Sequence, residues 1–236
     1  MQQQTLIIPA RFNGPPDIAN GGIVVGAMAE TSKGRCCTVT LKAPTPLDTP
    51  LLVKQHEDGS QGLYLEGELL ATSQNADSLN LSVPDFLPPE QAAETLDQYR
   101  ELDSVGVGEC FVCGSNRHDG LRVFATKTKT DSTLYAAKFP MHPDFLGVDG
   151  YVQPLFIYAA LDCPGYFAVT DGDDYALLGR MTAEITAPCK GDKDGTVLAW
   201  EIDRDGRKLT SGTAVYDCEG TLVAKAVSVW IKIDPK

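Results

Sequence analysis

Asn20-Gly21-Gly22-Ile23-Val24-Val25-Gly26-Ala27-Met28-Ala29-Glu30 is the stretch on which the fold turns. It is nearly all apolar and rich in small residues, so periodicity alone does not separate a buried helix from a buried strand. Two features choose helix. Asn20 can cap the first turn, and Ala-Met-Ala-Glu favours helix over strand. A buried helix is therefore predicted over Gly21–Glu30. Just upstream, Asn13-Gly14-Pro15-Pro16 marks a loop, preceded by a short strand around Leu6-Ile7-Ile8.

Downstream the pattern changes to strands: Cys37-Thr38-Val39-Thr40-Leu41, Leu51-Leu52-Val53-Lys54, Gly62-Leu63-Tyr64-Leu65 and Leu69-Leu70-Ala71-Thr72. Glu66-Gly67 reads as a tight turn between the last two. The Pro84–Asp103 stretch, with Glu-Gln-Ala-Ala-Glu-Thr-Leu inside it, reads as a connecting helix. Beyond it, strands are expected at Leu121–Ala125 and Thr133–Lys138. An apolar helix follows over Pro154–Asp162, stopped by Cys163-Pro164-Gly165. Three strands, Val197–Asp203, Leu209–Tyr216 and Leu222–Ile233, close the chain. In the last, Val223, Lys225, Val227, Val229, Ile231 and Ile233 share one face.

The two halves echo each other in order. Gly22 with Ile23–Glu30 can be laid over Pro154 with Leu155–Asp162, which puts Glu30 and Asp162 at matching positions. Thr38-Val39-Thr40-Leu41-Lys42-Ala43-Pro44 resembles Thr182-Ala183-Glu184-Ile185-Thr186-Ala187-Pro188. Glu66-Gly67-Glu68-Leu69-Leu70-Ala71 resembles Glu219-Gly220-Thr221-Leu222-Val223-Ala224.

The chain has 236 residues, 43% hydrophobic and 22% charged, a globular composition with room for two units of about 100 to 130 residues. A formal net charge of −12 speaks against nucleic acid and anionic membrane surfaces as partners. An anionic ligand would need a local basic patch, for which Arg11, Lys33 with Arg35, Arg117 and Arg122 are candidates. Met1-Gln2-Gln3-Gln4 does not open a signal peptide, and no apolar run approaches the roughly 18 to 20 residues of a membrane span. Seven cysteines, an odd number, fit free thiols in a reducing compartment, so a cytoplasmic protein is expected.

One buried helix wrapped by an antiparallel sheet resembles the hot-dog fold, and the tandem pair resembles the double hot-dog acyl-CoA thioesterases. Three stretches are similar to those of a thioesterase-like family of open substrate: Gly14-Pro15-Pro16 with Asn20-Gly21-Gly22, Cys110-Phe111-Val112-Cys113-Gly114 with Gly120-Leu121-Arg122, and Ala159-Ala160-Leu161-Asp162-Cys163-Pro164-Gly165. The resemblance implies an α+β tandem hot-dog, with one unit over residues 1–85, a connecting segment over 86–105 and a second unit over 106–236. It implies an acyl thioester such as an acyl-CoA as substrate, with no cofactor and no metal. A homodimer through an exposed sheet face is expected, although a tandem pair is also viable as a monomer.

In that family the site lies at the junction of two units. The first amides of one helix stabilise an oxyanion, and a carboxylate from the facing unit activates water or attacks the carbonyl. Asn20-Gly21-Gly22 stands where many single-domain relatives carry His-Gly-Gly. The resemblance thus implies Asp162, Asn20 and Glu30 as catalytic residues, with Gly21, Gly22, Gly150 and Gln153 binding substrate. Asp162 would face Asn20–Gly22, and Glu30 the 150–153 loop. Plainer roles stand beside these: Asn20 as a helix cap, the glycines as packing positions, and both carboxylates reaching solvent.

Two other activities fit the same resemblance. One is a non-catalytic acyl-binding or interaction module. The other is a hydroxyacyl dehydratase or hydratase, but Lys138 and Phe156 stand where those enzymes carry histidine. Cys110-x-x-Cys113 with His118 nearby suggests zinc, yet no second pair stands at ligand spacing, and zinc is set aside. Ser-His-Asp chemistry lacks its Gly-x-Ser-x-Gly turn. Asp171-Gly172-Asp173-Asp174 lacks the downstream glutamate of a calcium loop and reads as an exposed turn.

Overall fold

A computed structural model describes residues 3–32, 34–93, 98–99, 107–170 and 174–233. The first half runs β1 (Gln3–Leu6), α1 (Gly21–Ser32), β2 (Cys36–Leu41), β3 (Leu51–Gln55), β4 (Gln61–Leu65) and β5 (Glu68–Ala76). A short helix, α2 (Pro89–Ala92), leads to β6 (Thr126–Lys127), β7 (Leu134–Phe139), α3 (Pro154–Ala160) and α4 (Cys163–Thr170). The chain closes with β8 (Ala176–Ile185), β9 (Gly195–Asp205), β10 (Lys208–Tyr216) and β11 (Leu222–Lys232).

These strands make one sheet in the order β1-β3-β4-β5-β2-β8-β11-β10-β9-β7-β6, antiparallel at every step. Both edges are short: four residues in β1 and two in β6. Short edges leave few unpaired backbone groups to recruit another chain. Register shifts at Leu63/Tyr64, Thr210/Ser211, Val215/Tyr216 and Val229/Trp230 bend the strands around the helices. The seam is β2 with β8, where Thr38 lies opposite Thr182 and their hydroxyls bond at 2.8 Å.

Helix α1 is buried at every position from Gly22 to Ala29 and packs against α3. Glycine permits the close approach: a Cβ on Gly22 would stand 2.7 Å from Asp162 Cβ and 2.8 Å from the Tyr158 carbonyl oxygen. On the opposite face of β7, β9 and β10, the segment around α2 covers a second cluster of Ala136, Leu198, Ala214 and Tyr216 with Ala92, Phe86 and Leu87.

Several expectations need correction. Leu121–Ala125 is not a strand, although Leu121, Val123 and Ala125 are buried. Arg122 takes a left-handed φ of 56°, and the Leu121 and Val123 N–H groups donate to Phe111 and Val112 carbonyls instead of a sheet neighbour. The first strand ends at Leu6, leaving Ile7 exposed ahead of Pro9. Pro164 does not end helical structure. The break falls at Leu161-Asp162, and Pro164 sits in the first turn of α4, where its missing N–H costs nothing. Strand β8 was not foreseen as an element. In β11 the fully buried face carries Ala224, Ala226, Ser228 and Trp230, while Val227, Val229 and Ile231 are half-buried on the other. Of the connecting helix only α2 is seen, because 94–97 and 100–106 lie outside the described residues, as do 171–173 of the acidic turn. Asp174 of that turn pairs with Lys232 at 2.6 Å and Arg204 at 3.6 Å.

Candidate active site

The site begins with the start of α1. Asn20 Oδ1 accepts from the Ile23 N–H at 3.1 Å, so Asn20 is the helix cap, and that bond turns the amide nitrogen away from the helix. The nitrogen points to Asp162, donating to Oδ2 at 2.8 Å. The Gly22 N–H donates to the same oxygen at 3.0 Å. Asp162 is held in place from its own side: it stands at the α3–α4 break, and its carbonyl accepts from the Gly165 and Tyr166 amides.

Asp162 is only 4% exposed, and its other oxygen, Oδ1, has no hydrogen-bond partner among the described residues. Burial raises its pKa to about 7, an effect opposed by the Gly22 and Asn20 donors and reinforced by Cys110. A carboxylate with one oxygen clamped and the other free, balanced near neutrality, can accept a proton. No hydrogen bond engages the Gly21 N–H among the described residues, and Gly21 lines the same cavity. That cavity measures about 560 Å³, within the usual range for small-molecule sites. Asn20, Gly21 and Asp162 lie on its wall beside apolar Val24, Leu178 and Trp230.

Glu30 occupies the other end of the α1–α3 pair. It is more exposed than Asp162; partial burial raises its pKa, against a hydrogen bond from the Leu155 backbone at the start of α3. It borders a separate cavity of about 410 Å³ with Ile23, Ala27 and Leu155. Gly150 and Gln153 line neither cavity; Gly150 has a φ of +79°, and the exposed Gln153 donates to the Leu146 carbonyl. Lys138 is ion-paired with Asp194 at 2.6 Å, and Phe156, which has no basic atom, is buried among Phe12, Phe111 and Phe145. Of the basic candidates, Arg11 and Arg117 both stack near Phe111, and Arg117 also pairs with Asp119 at 2.6 Å.

The structure also gathers residues that lie far apart in sequence. Cys110, Cys113 and Cys163 have their sulfurs within 4.8 Å of one another on the wall of the larger cavity. His118, by contrast, is exposed. Cys163 follows Asp162 directly, and only folding shows that it meets the Cys110 turn.

No family model matches the chain, and no curated protein matches it. Solved structures do. A tesB protein of Mycobacterium avium subsp. paratuberculosis superposes with a TM-score of 0.63 at 11% identity, over 98% of this chain and 93% of that one. A protein of unknown function from Alicyclobacillus acidocaldarius, described as having a hot dog fold, gives 0.57 at 12%, over 100% and 94%. This chain has the hot-dog fold. The acyl-CoA thioesterase II TesB2 of Mycobacterium marinum is similar at a TM-score of 0.56 and 13% identity, covering 91% of each chain. In hot-dog terms, α1 and α3 are the helices that the sheet enfolds, and Asp162 with Asn20 and Gly22 lies where they meet.

Proposed function

We propose that this protein is a tandem hot-dog thioesterase that hydrolyses an acyl-CoA or a related acyl thioester in the cytoplasm. Asp162 carries the reading: a buried carboxylate with one unpartnered oxygen, on the wall of an apolar cavity, beside a free helix-start amide. In the proposed step Asp162 Oδ1 takes a proton from water as the hydroxide oxygen bonds to the thioester carbonyl carbon. The Gly21 N–H meets the developing oxyanion. The C–S bond then breaks, the thiolate leaves and is protonated, and the acid is released. Asn20 positions Asp162. Gly22 is a less direct participant than its sequence position suggests, since Asp162 already occupies its N–H.

Two units, 1–85 and 106–236, joined through 86–105, account for the matched positions. Thr38 meets Thr182 at the seam, and Asp162 meets the start of α1 as Glu30 meets the start of α3. Homodimer formation, with neither nucleic acid nor membrane as partner, completes the proposal; light scattering of the purified chain tests it.

One observation favours a non-catalytic acyl-binding module: the clamped Gly22 N–H leaves a single helix-start amide free for an oxyanion. Release of free thiol from a panel of acyl-CoAs and acyl-carrier thioesters separates the two readings. Turnover of any member supports the enzyme. Saturable binding of acyl-CoA without thiol release refutes it in favour of the module.

A further inference from the structure

The three cysteines on the cavity wall are not used by the proposed hydrolysis. Cys110 and Cys113 lie on one turn, closed by the Gly114 N–H donating to the Cys110 carbonyl at 2.8 Å. Cys163 arrives from the first position of α4. Its sulfur stands 3.8 Å from that of Cys110. Sulfurs that share a tetrahedral zinc ion at bonds of about 2.3 Å are set about 3.8 Å apart. A disulfide would need about 2.05 Å.

The Val112 and Cys113 backbone N–H groups point at the Cys110 sulfur. The Asn20 amide nitrogen lies 3.8 Å from both the Cys110 and the Cys163 sulfurs. Donors converging on the Cys110 sulfur would orient a metal ligand as an outer shell does. Lys42 is the one cationic side chain among the described residues that line this cavity. Asp162 Oδ1, on the same wall, has no hydrogen-bond partner among the described residues.

We propose that Cys110, Cys113 and Cys163 hold a thiophilic divalent cation, with zinc the best fit, in a three-thiolate centre on the wall of the larger cavity. Each ligating thiol releases its proton to solvent, and the fourth position opens to the cavity, where water completes the tetrahedron. The ion would tie the turn that precedes β6 to the start of α4, and so fix the backbone on which Asp162 stands. Soft sulfur ligands select zinc over magnesium or calcium.

Cobalt(II) is the probe. The full chain, purified under reducing conditions without chelator, is titrated with it, and metal content is measured on the protein as isolated. About one ion per chain is expected, with an intense thiolate-to-cobalt charge-transfer band that added zinc abolishes. Cys163→Ser should lose most of that band, whereas Cys218→Ser, remote from the cluster, should keep it. Failure of the intact reduced protein to bind cobalt or zinc overturns the proposal. So does a charge-transfer band that survives Cys163→Ser unchanged. The intact-chain titration decides even where Cys163→Ser folds poorly, and metal uptake is read whether or not any thioester is hydrolysed.

Discussion

Asn20 and Asp162, 142 residues apart in the chain, meet through a buried hydrogen bond of 2.8 Å from the Asn20 amide nitrogen to Asp162 Oδ2. Asn20 thereby performs two tasks with one side chain. Its oxygen starts α1, and its nitrogen fixes the carboxylate at the α3–α4 break.

Asp162→Asn keeps the shape and the two donors' partner but removes the proton acceptor. Thiol release on the best thioester found should fall by about a hundredfold or more. Thermal stability should hold or rise at neutral pH, because a buried carboxylate with a partnerless oxygen no longer has to be accommodated. Glu30→Gln, at the exposed end, should change turnover far less. Equal turnover of Asp162→Asn and the parent would remove Asp162 from the mechanism.

Asn20→Ser tests the two tasks of Asn20 separately. Serine also caps helices well, so the melting temperature should shift little. Its shorter side chain cannot reach Asp162 while capping, so kcat should drop with KM nearly unchanged. Asn20→Ala should in addition destabilise by about 1 kcal/mol, the usual size of a lost cap. If the serine variant loses stability but keeps kcat, Asn20 is a cap alone.

Gly22→Ala and Gly26→Ala should differ in severity along the same helix. A Cβ at Gly22 runs into backbone atoms of Tyr158 and Ala159 at 2.8 Å. At Gly26 the closest atoms are Leu155 Cδ1 and Tyr158 Cβ at 3.1 Å. Overpacking commonly costs about 1–3 kcal/mol, and Gly22→Ala belongs at the upper end. Urea denaturation of both variants gives the order, and a reversed order would contradict the α1–α3 packing.

Thr38→Val and Thr182→Val test the seam. Their hydroxyls are partners at 2.8 Å, so a double-mutant cycle should return a favourable coupling of about 0.2–1 kcal/mol. A coupling of zero would place the two threonines out of contact and displace the β2–β8 register.

Much of the scaffold is readable from the sequence because it follows local rules. The small-residue run after Asn20 forms α1, the Glu66-Gly67 turn has positive φ at both residues, and β9, β10 and β11 cover the stretches read as strands. That Asp162 faces Asn20 is an implication of the hot-dog resemblance, a relation between segments rather than a local signal. What escapes the sequence depends on tertiary context. Pro164 ends one helix or begins another with the same local chemistry, and only the position of the break decides. Cys163 has no neighbour in sequence to mark it as a third member of the Cys110–Cys113 group. Val123 and Ala125 alternate like a strand, but their segment pairs with the cysteine turn, and Arg122 twists it out of the extended region.

The seam at β2 and β8 has a consequence for how the molecule can be taken apart. Five residue pairs, Cys36–Thr40 against Arg180–Glu184, carry the sheet across it. Cut within 86–105, the chain would yield two fragments, each presenting a fresh strand edge with its hydrogen-bonding groups unmet. Such fragments are each other's best ligand. Made as separate polypeptides they should be sticky alone and reassemble when mixed, at a concentration that the intact chain makes unnecessary.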